Sequence, residues 1–201
     1  MKTLLSLALG AAFALSATAA SAAATVGQPA PAFTLTDSNG TSHSLVDFAG
    51  KTVVLEWFNH QCPFVVKHYG AGNMQRQQDA AEADGAVWLV VNSSALGKQG
   101  NVDGAQGNAI LADWNATPTA LLLDHDGTVG KAYGAKTTPH MYVIDGDGVL
   151  RYNGAIDSNP SADAADIPGS TQYVDEALAD LKAGRPVARG VTQPYGCSVK
   201  Y

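Results

Sequence analysis

Apolar and polar positions along the chain mark out a short series of segments. The first, Leu4 to Leu15, is mostly apolar, preceded by Lys2 and followed by small residues. This is the pattern of a secretory signal peptide, and the Ala-x-Ala site at Ala20, Ser21 and Ala22 predicts cleavage before Ala23, with residues 1–22 as leader. Turn residues at Asp37 to Gly40 between Val26 to Phe33 and the apolar patch Leu45 to Phe48 predict an N-terminal β-turn-β extension. Thr52 to Phe58 is β-branched and aromatic without strict alternation, which predicts a strand buried on both faces. Asn59 to Pro63 interrupts it, and the good helix formers from Phe64 to about Ala83, with Val65, Tyr69 and Met74 among them, predict one helix. A second apolar run, Ala86 to Val91, follows at the distance of a right-handed β-α-β crossover.

Beyond it, Gly97 to Gly107 reads as a surface loop, Ala109 to Trp114 as a short helix and Ala120 to Leu123 as a strand. Hairpin-like signals at Asp124 to Gly127 and at Asp145 to Gly148, the latter joining Met141–Ile144 to Val149–Tyr152, predict antiparallel edge strands. Ser158 to Ser170 reads as a loop. Tyr173 to Leu181 has helical apolar spacing and is stopped by Gly184 and Pro186. The order β-α-β, short α, β-β-α predicts an α/β fold with a central mixed sheet flanked by helices, an N-terminal β extension and a C-terminal tail.

Removing the 22-residue leader from 201 residues leaves 179, a length that predicts a single domain with a real core. No later segment has the roughly 20 apolar residues of a membrane span, and no cysteine follows the leader for lipid attachment, so no membrane insertion is expected. Without Lys2 the formal charge moves from −6 to −7, and no run of Lys or Arg could follow a phosphate backbone, which argues against nucleic acid. Two cysteines in an exported chain fit an oxidising compartment, periplasmic or secreted.

The candidate chemistry centres on Cys62. A cysteine opening a helix faces free backbone N–H groups and the positive end of the helix dipole, and both favour the nucleophilic thiolate. His60, two residues back, could add positive charge when protonated or shuttle a proton. Glu56, on an apolar strand, is costly to bury as a charge; a raised pKa would let it exchange protons with a reacting sulfur. Cys197 lies 135 residues beyond Cys62 on a tail containing Gly196 and is the only other thiol in the chain.

The stretch from Glu56 through Trp57, Phe58, Asn59, His60 and Gln61 to Cys62 and Pro63 resembles the strand-to-active-site segment of thioredoxins and related exported redoxins, and the element order extends the resemblance over most of the mature chain. It implies a thioredoxin-like redoxin domain over 23–190 with a tail, 191–201, carrying Cys197. It also puts Cys62 at the attacking position and Glu56 at the family's buried acid. Val65 stands where the second cysteine of Cys-x-x-Cys belongs, so the usual local disulfide cannot form. Thr137 to His140 resembles the cis-proline loop that faces the active cysteine. By that resemblance the backbone of Thr138, with Pro139 and Pro63, docks an extended substrate strand beside Cys62.

Cys197 is then either the resolving cysteine or half of a static staple with Cys62. The leading expectation is thiol–disulfide exchange with a protein or small-molecule thiol or disulfide partner, needing no cofactor and no metal. The redoxin group also contains alkyl hydroperoxide reductase-like and thiol-specific antioxidant-like proteins, so the alternative is a thiol peroxidase acting on a hydroperoxide, with a sulfenic acid on Cys62 condensing with Cys197. Asn59 replaces the peroxidase threonine, and neither Arg76 nor Arg151 can be assigned as the activating arginine from sequence. Two further alternatives are copper binding by His60, Cys62 and His140, and an inert module with a structural disulfide.

Overall fold

In a computed structural model that describes residues 24–201, the hairpin of β1 (Thr34–Asp37) and β2 (Ser42–Ser44) opens the fold. Its turn is held by Asp37, whose carboxylate accepts the N–H groups of Asn39 and Thr41 at 2.8 Å. The leader and its Ala20–Ala22 site lie outside the described residues. All five residues of β3 (Val53–Trp57) are buried, as a run without polar alternation requires. Transfer of each apolar side chain from water contributes roughly 1.5–3 kcal/mol; Glu56 in their midst opposes that gain.

The expected single helix after Cys62 is two, α1 (Pro63–Gly70) and α2 (Asn73–Ala83). Gly72 takes a left-handed conformation, φ +70°, between them, which breaks the helical path where a glycine tolerates it. Then come β4 (Val87–Asn92), α3 (Gly104–Asp113) and β5 (Ala120–Leu123). Helix α3 begins earlier than predicted because Asp103 and Gln106 form a reciprocal capping box at its start.

The signal at Asp124 to Gly127 is not a hairpin. Its turn leads into α4 (Thr128–Tyr133), with the Asp124 carboxylate accepting the N–H groups of Val129 and Gly130 at 3.1 and 2.8 Å. An Asp-x-x-Gly turn serves a helix start as readily as a strand reversal. The remaining elements are β6 (Thr137–Thr138), β7 (His140–Ile144), β8 (Leu150–Gly154), α5 (Tyr173–Lys182) and β9 (Cys197–Ser198).

The main sheet runs β2-β1-β5-β4-β3-β7-β8, and β6 and β9 form a separate pair. Strands β3, β4 and β5 are parallel, while β1 and β7 join them antiparallel. The turn at Asp145 to Gly148 does form a hairpin, between β7 and β8, but only β8 is an edge; β7 lies inside, against β3. One sheet face packs Val54, Phe58, Trp88 and Met141 against α1, α2, α3 and α5. The other packs Trp57, Leu89 and Tyr142 against α4 and the N-terminal segment around Phe33. Cys62 belongs to the first of these cores, where β3 runs out into α1.

Candidate active site

Cys62 is the N-cap of α1 and is fully buried. Asn59 sets the turn before it: its side-chain oxygen accepts the N–H of Gln61 at 2.8 Å and its backbone carbonyl accepts the N–H of Cys62 at 3.0 Å. Pro63 fills the first helical position, where a missing N–H costs nothing. It is exposed at the rim of the site.

Opposite Cys62 stands the Thr138–Pro139 loop, whose peptide bond is cis. The Cys62 thiol donates to the carbonyl of Thr138 at 3.0 Å. The same backbone pairs with the C-terminal tail: β6 and β9 run antiparallel, with Thr138 opposite Cys197 and Thr137 opposite Ser198. That register carries the N–H of Cys197 to 3.4 Å from Cys62 Sγ, and the two unbonded thiols are in hydrogen-bond contact. Gly196 makes the approach possible, since a Cβ there would meet the Thr138 carbonyl oxygen at 2.1 Å.

The two thiols differ in acidity. Burial raises the pKa of Cys62, but donation from the thiol and N–H of Cys197, from Thr138 and from the N–H of Val65 outweighs it, leaving the pKa below that of an ordinary thiol. Burial and the neighbouring Cys62 push Cys197 up to about 11. Cys62 is thus the more readily ionised thiol of the pair, and Cys197 the one that holds its proton more firmly.

Glu56 lies on β3, completely buried, and accepts from Trp88 Nε1 at 2.9 Å and from the Tyr69 hydroxyl at 2.9 and 3.1 Å. Burial raises its pKa to about 7, although these hydrogen bonds favour the charged form. It makes no hydrogen bond to Cys62, so any proton it exchanges with the sulfur must travel through other groups. His60 stacks on Phe58 with ring centroids 6.5 Å apart, its Nδ1 is buried without a hydrogen-bond partner, and burial lowers its pKa.

His140 does not join Cys62. It packs on Tyr142, on the opposite face of the sheet, with Nε2 2.7 Å from Asn153 Oδ1 and Nδ1 accepting the N–H of Lys136 at 3.2 Å. The expected set of His60, Cys62 and His140 is therefore split by the sheet. Arg76 pairs with Asp175, and Arg151 with Asp145. Both line clefts that include Thr52, at the far end of β3 from Cys62.

The family model for AhpC/TSA proteins matches residues 26–153, which includes Glu56, Cys62 and the cis Thr138–Pro139 loop. The chain belongs to the AhpC/TSA family. No curated protein sequence matches it. Among solved structures, this AhpC/TSA protein is similar to a hypothetical protein of Sinorhizobium meliloti 1021 at 22% identity, over 90% of this chain and 96% of that one, with a TM-score of 0.74. An uncharacterized conserved protein of Geobacillus kaustophilus matches at 27% identity, over 88% and 92% of the two chains, with a TM-score of 0.71. The thioredoxin domain of a thiol-disulfide oxidoreductase of Bacteroides vulgatus matches at 22% identity, over 64% and 87%, with a TM-score of 0.52. The fold is thioredoxin-like.

Four residues that sequence reading did not single out lie close to the tail that carries Cys197. Lys67 and His68 on α1, Asp157 after β8 and Tyr195 on the tail form a polar cluster beneath the protein surface. Lys67 Nζ lies 3.5 Å from Asp157 Oδ2 and donates to the Asn159 carbonyl at 3.2 Å, and both charged side chains are wholly buried. The Tyr195 hydroxyl donates to Asp157 and lies 3.2 Å from His68 Nε2. The cluster clasps the tail two residues before Cys197. A lysine inside an apolar helical stretch was its one signal in the sequence.

Proposed function

We propose that this chain is a thiol–disulfide oxidoreductase in which Cys62 is the nucleophile and Cys197 resolves. The observation that carries the reading is the Cys197 N–H 3.4 Å from Cys62 Sγ, with an acidified thiol facing a proton-holding one. The Cys62 thiolate attacks one sulfur of a partner disulfide, the partner's S–S bond breaks, and the other sulfur leaves as a thiolate that takes up a proton. Cys197, losing its proton, attacks Cys62 Sγ in the mixed disulfide and expels the second partner thiolate. The partner is reduced to two thiols and the protein keeps a Cys62–Cys197 disulfide. No bound cofactor enters the balance.

Glu56, with a pKa of about 7, is the buried carboxyl of the domain suited to take up and return the exchanged proton. The redox domain in this reading is 23–190, with 191–201 as the tail that brings in the resolving thiol, and the leader pattern sends the chain to the periplasm or outside. Among the described residues no helix is long and apolar enough to cross a membrane.

The deciding experiment is a redox titration of the couple in glutathione or dithiothreitol, read by mass spectrometry of alkylated protein. A potential of roughly −120 to −270 mV supports a working exchange couple, whereas a value below about −300 mV marks a structural staple and rejects the proposal.

A further inference from the structure

A strand edge with unpaired N–H and C=O groups recruits a second strand, which is how extended polypeptides add to a sheet. The edge beside Cys62 is that of Thr137 and Thr138, and this chain fills it with its own β9. The tail is fixed on both sides of Cys197. Upstream, Tyr195 is held by Asp157 and His68 and packs edge-on against Phe64. Downstream, the N–H of Val199 donates to Lys136 at 3.1 Å, and Lys200 accepts the N–H of Ala95 at 2.8 Å. The Tyr201 hydroxyl donates to Ala135 at 2.8 Å, its ring sits over Gly127 and Gly130, and the Lys131 ammonium lies 5.4 Å from the ring centroid. A polypeptide strand cannot pair with Thr138 without displacing β9, which these anchors hold in place. The two sulfurs also differ in access: Cys62 is fully buried and Cys197 is partly exposed.

We propose that the C-terminal strand is a permanent occupant of the polypeptide-docking edge, and that the Cys62–Cys197 couple is reduced by a small-molecule thiol that enters at Cys197. This rests on the redox couple proposed above and names the chemical class of its reductant. A small thiolate attacks Cys197 Sγ of the disulfide. The Cys62–Cys197 bond breaks, and its electron pair leaves on Cys62, whose thiolate is met by the Cys197 N–H. A second small thiolate attacks the small-molecule sulfur of the mixed disulfide, a small disulfide departs, and Cys197 takes a proton from water. Two small thiols are oxidised and the protein disulfide is reduced.

The test uses the oxidised full chain, with 2-mercaptoethanol and reduced, unfolded ribonuclease as reductants at equal thiol concentration. The small thiol is expected to react at least about tenfold faster per thiol, because the polypeptide must wait for the tail to open. Acid-quenched intermediates should carry the mercaptoethanol adduct on Cys197. Gly196→Val, which pries the tail from Thr138, and Tyr201→Ala, which loosens its far anchor, should each shrink the ratio of the two rates. Equal rates in the unaltered protein, an adduct on Cys62, or a ratio unmoved in both variants overturns the proposal while leaving the redox couple intact. If no Cys62–Cys197 disulfide forms under oxidation, both readings fall together.

Discussion

The backbone N–H of Cys197 points at the sulfur of Cys62 from 3.4 Å, across 135 residues of chain. The donor belongs to the same residue whose thiol faces that sulfur, so one strand register supplies both the stabiliser of the Cys62 thiolate and the group that would replace its proton with a disulfide. The tail is held by its strand pairing with Thr137 and Thr138 and by the hydrogen bonds of Tyr195 and Tyr201, while the two thiols stay free.

Substituting the two cysteines separates their roles. Cys62→Ser is expected to abolish exchange with a disulfide substrate. Cys197→Ser is expected to accumulate a stable mixed disulfide on Cys62, visible as an added mass in non-reducing mass spectrometry. Trapping on Cys197 in Cys62→Ser with equal yield would reverse the assignment.

Acidity of Cys62 depends on donors that ionisation would call upon, the Thr138 side chain among them. Thr138→Val removes that hydroxyl while keeping the shape, and the Cys62 titration followed by thiolate absorbance should move to higher pH than in the unaltered protein. An unchanged midpoint would leave the Cys197 N–H and the start of α1 as sufficient cause.

Stability should depend on pH through three buried groups. His68 and His140 have folded pKa values of about 4, lowered chiefly by burial, so each is stabilising above its unfolded value near 6.5 and loses that contribution as pH falls toward 4. Glu56, raised by burial to about 7, has the opposite sign: its contribution is complete below about 4.5 and is lost as pH rises through 7. Each term is worth up to about 3 kcal/mol. Two rising terms against one falling term predict that stability climbs from pH 4 to 6.5. In Glu56→Gln the climb should be steeper and continue without the loss toward pH 7, as measured by urea denaturation at several pH values.

The Lys67–Asp157 pair offers a test of what fixes the tail. Lys67→Met leaves the Asp157 charge buried without its counter-charge and should cost about 3–5 kcal/mol. Tyr195→Phe removes one donor and should cost about 1–3 kcal/mol. Both should also raise the alkylation rate of Cys197, because the clasp lies two residues from it. A stability loss without faster alkylation would confine the cluster to a structural role.

Local pattern carried much of the fold. The buried run of β3, the parallel partner β4, the β7–β8 turn and helix α5 follow from periodicity and turn residues within a few positions, and Cys62 at a helix start is equally local. The misreadings were local too. The glycines around Ala71 permitted a break that helix propensity alone does not force, and the turn after Asp124 could serve a strand or a helix until the N–H groups of Val129 and Gly130 settled it.

By itself, then, the sequence determined the layered α/β frame, the place of Cys62 at a helix start and the presence of a second thiol. Only the tertiary structure decided that Cys197 sits opposite Thr138, that Glu56 accepts hydrogen bonds from Trp88 and Tyr69, that His140 faces away from Cys62, and that Lys67 and Asp157 hold Tyr195 of the tail. The reason is physical. A strand pair of two residues on each side has no hydrophobic period, and hydrogen bonds and ion pairs across such spans depend on where the packed core puts their backbones, which no short window of sequence records.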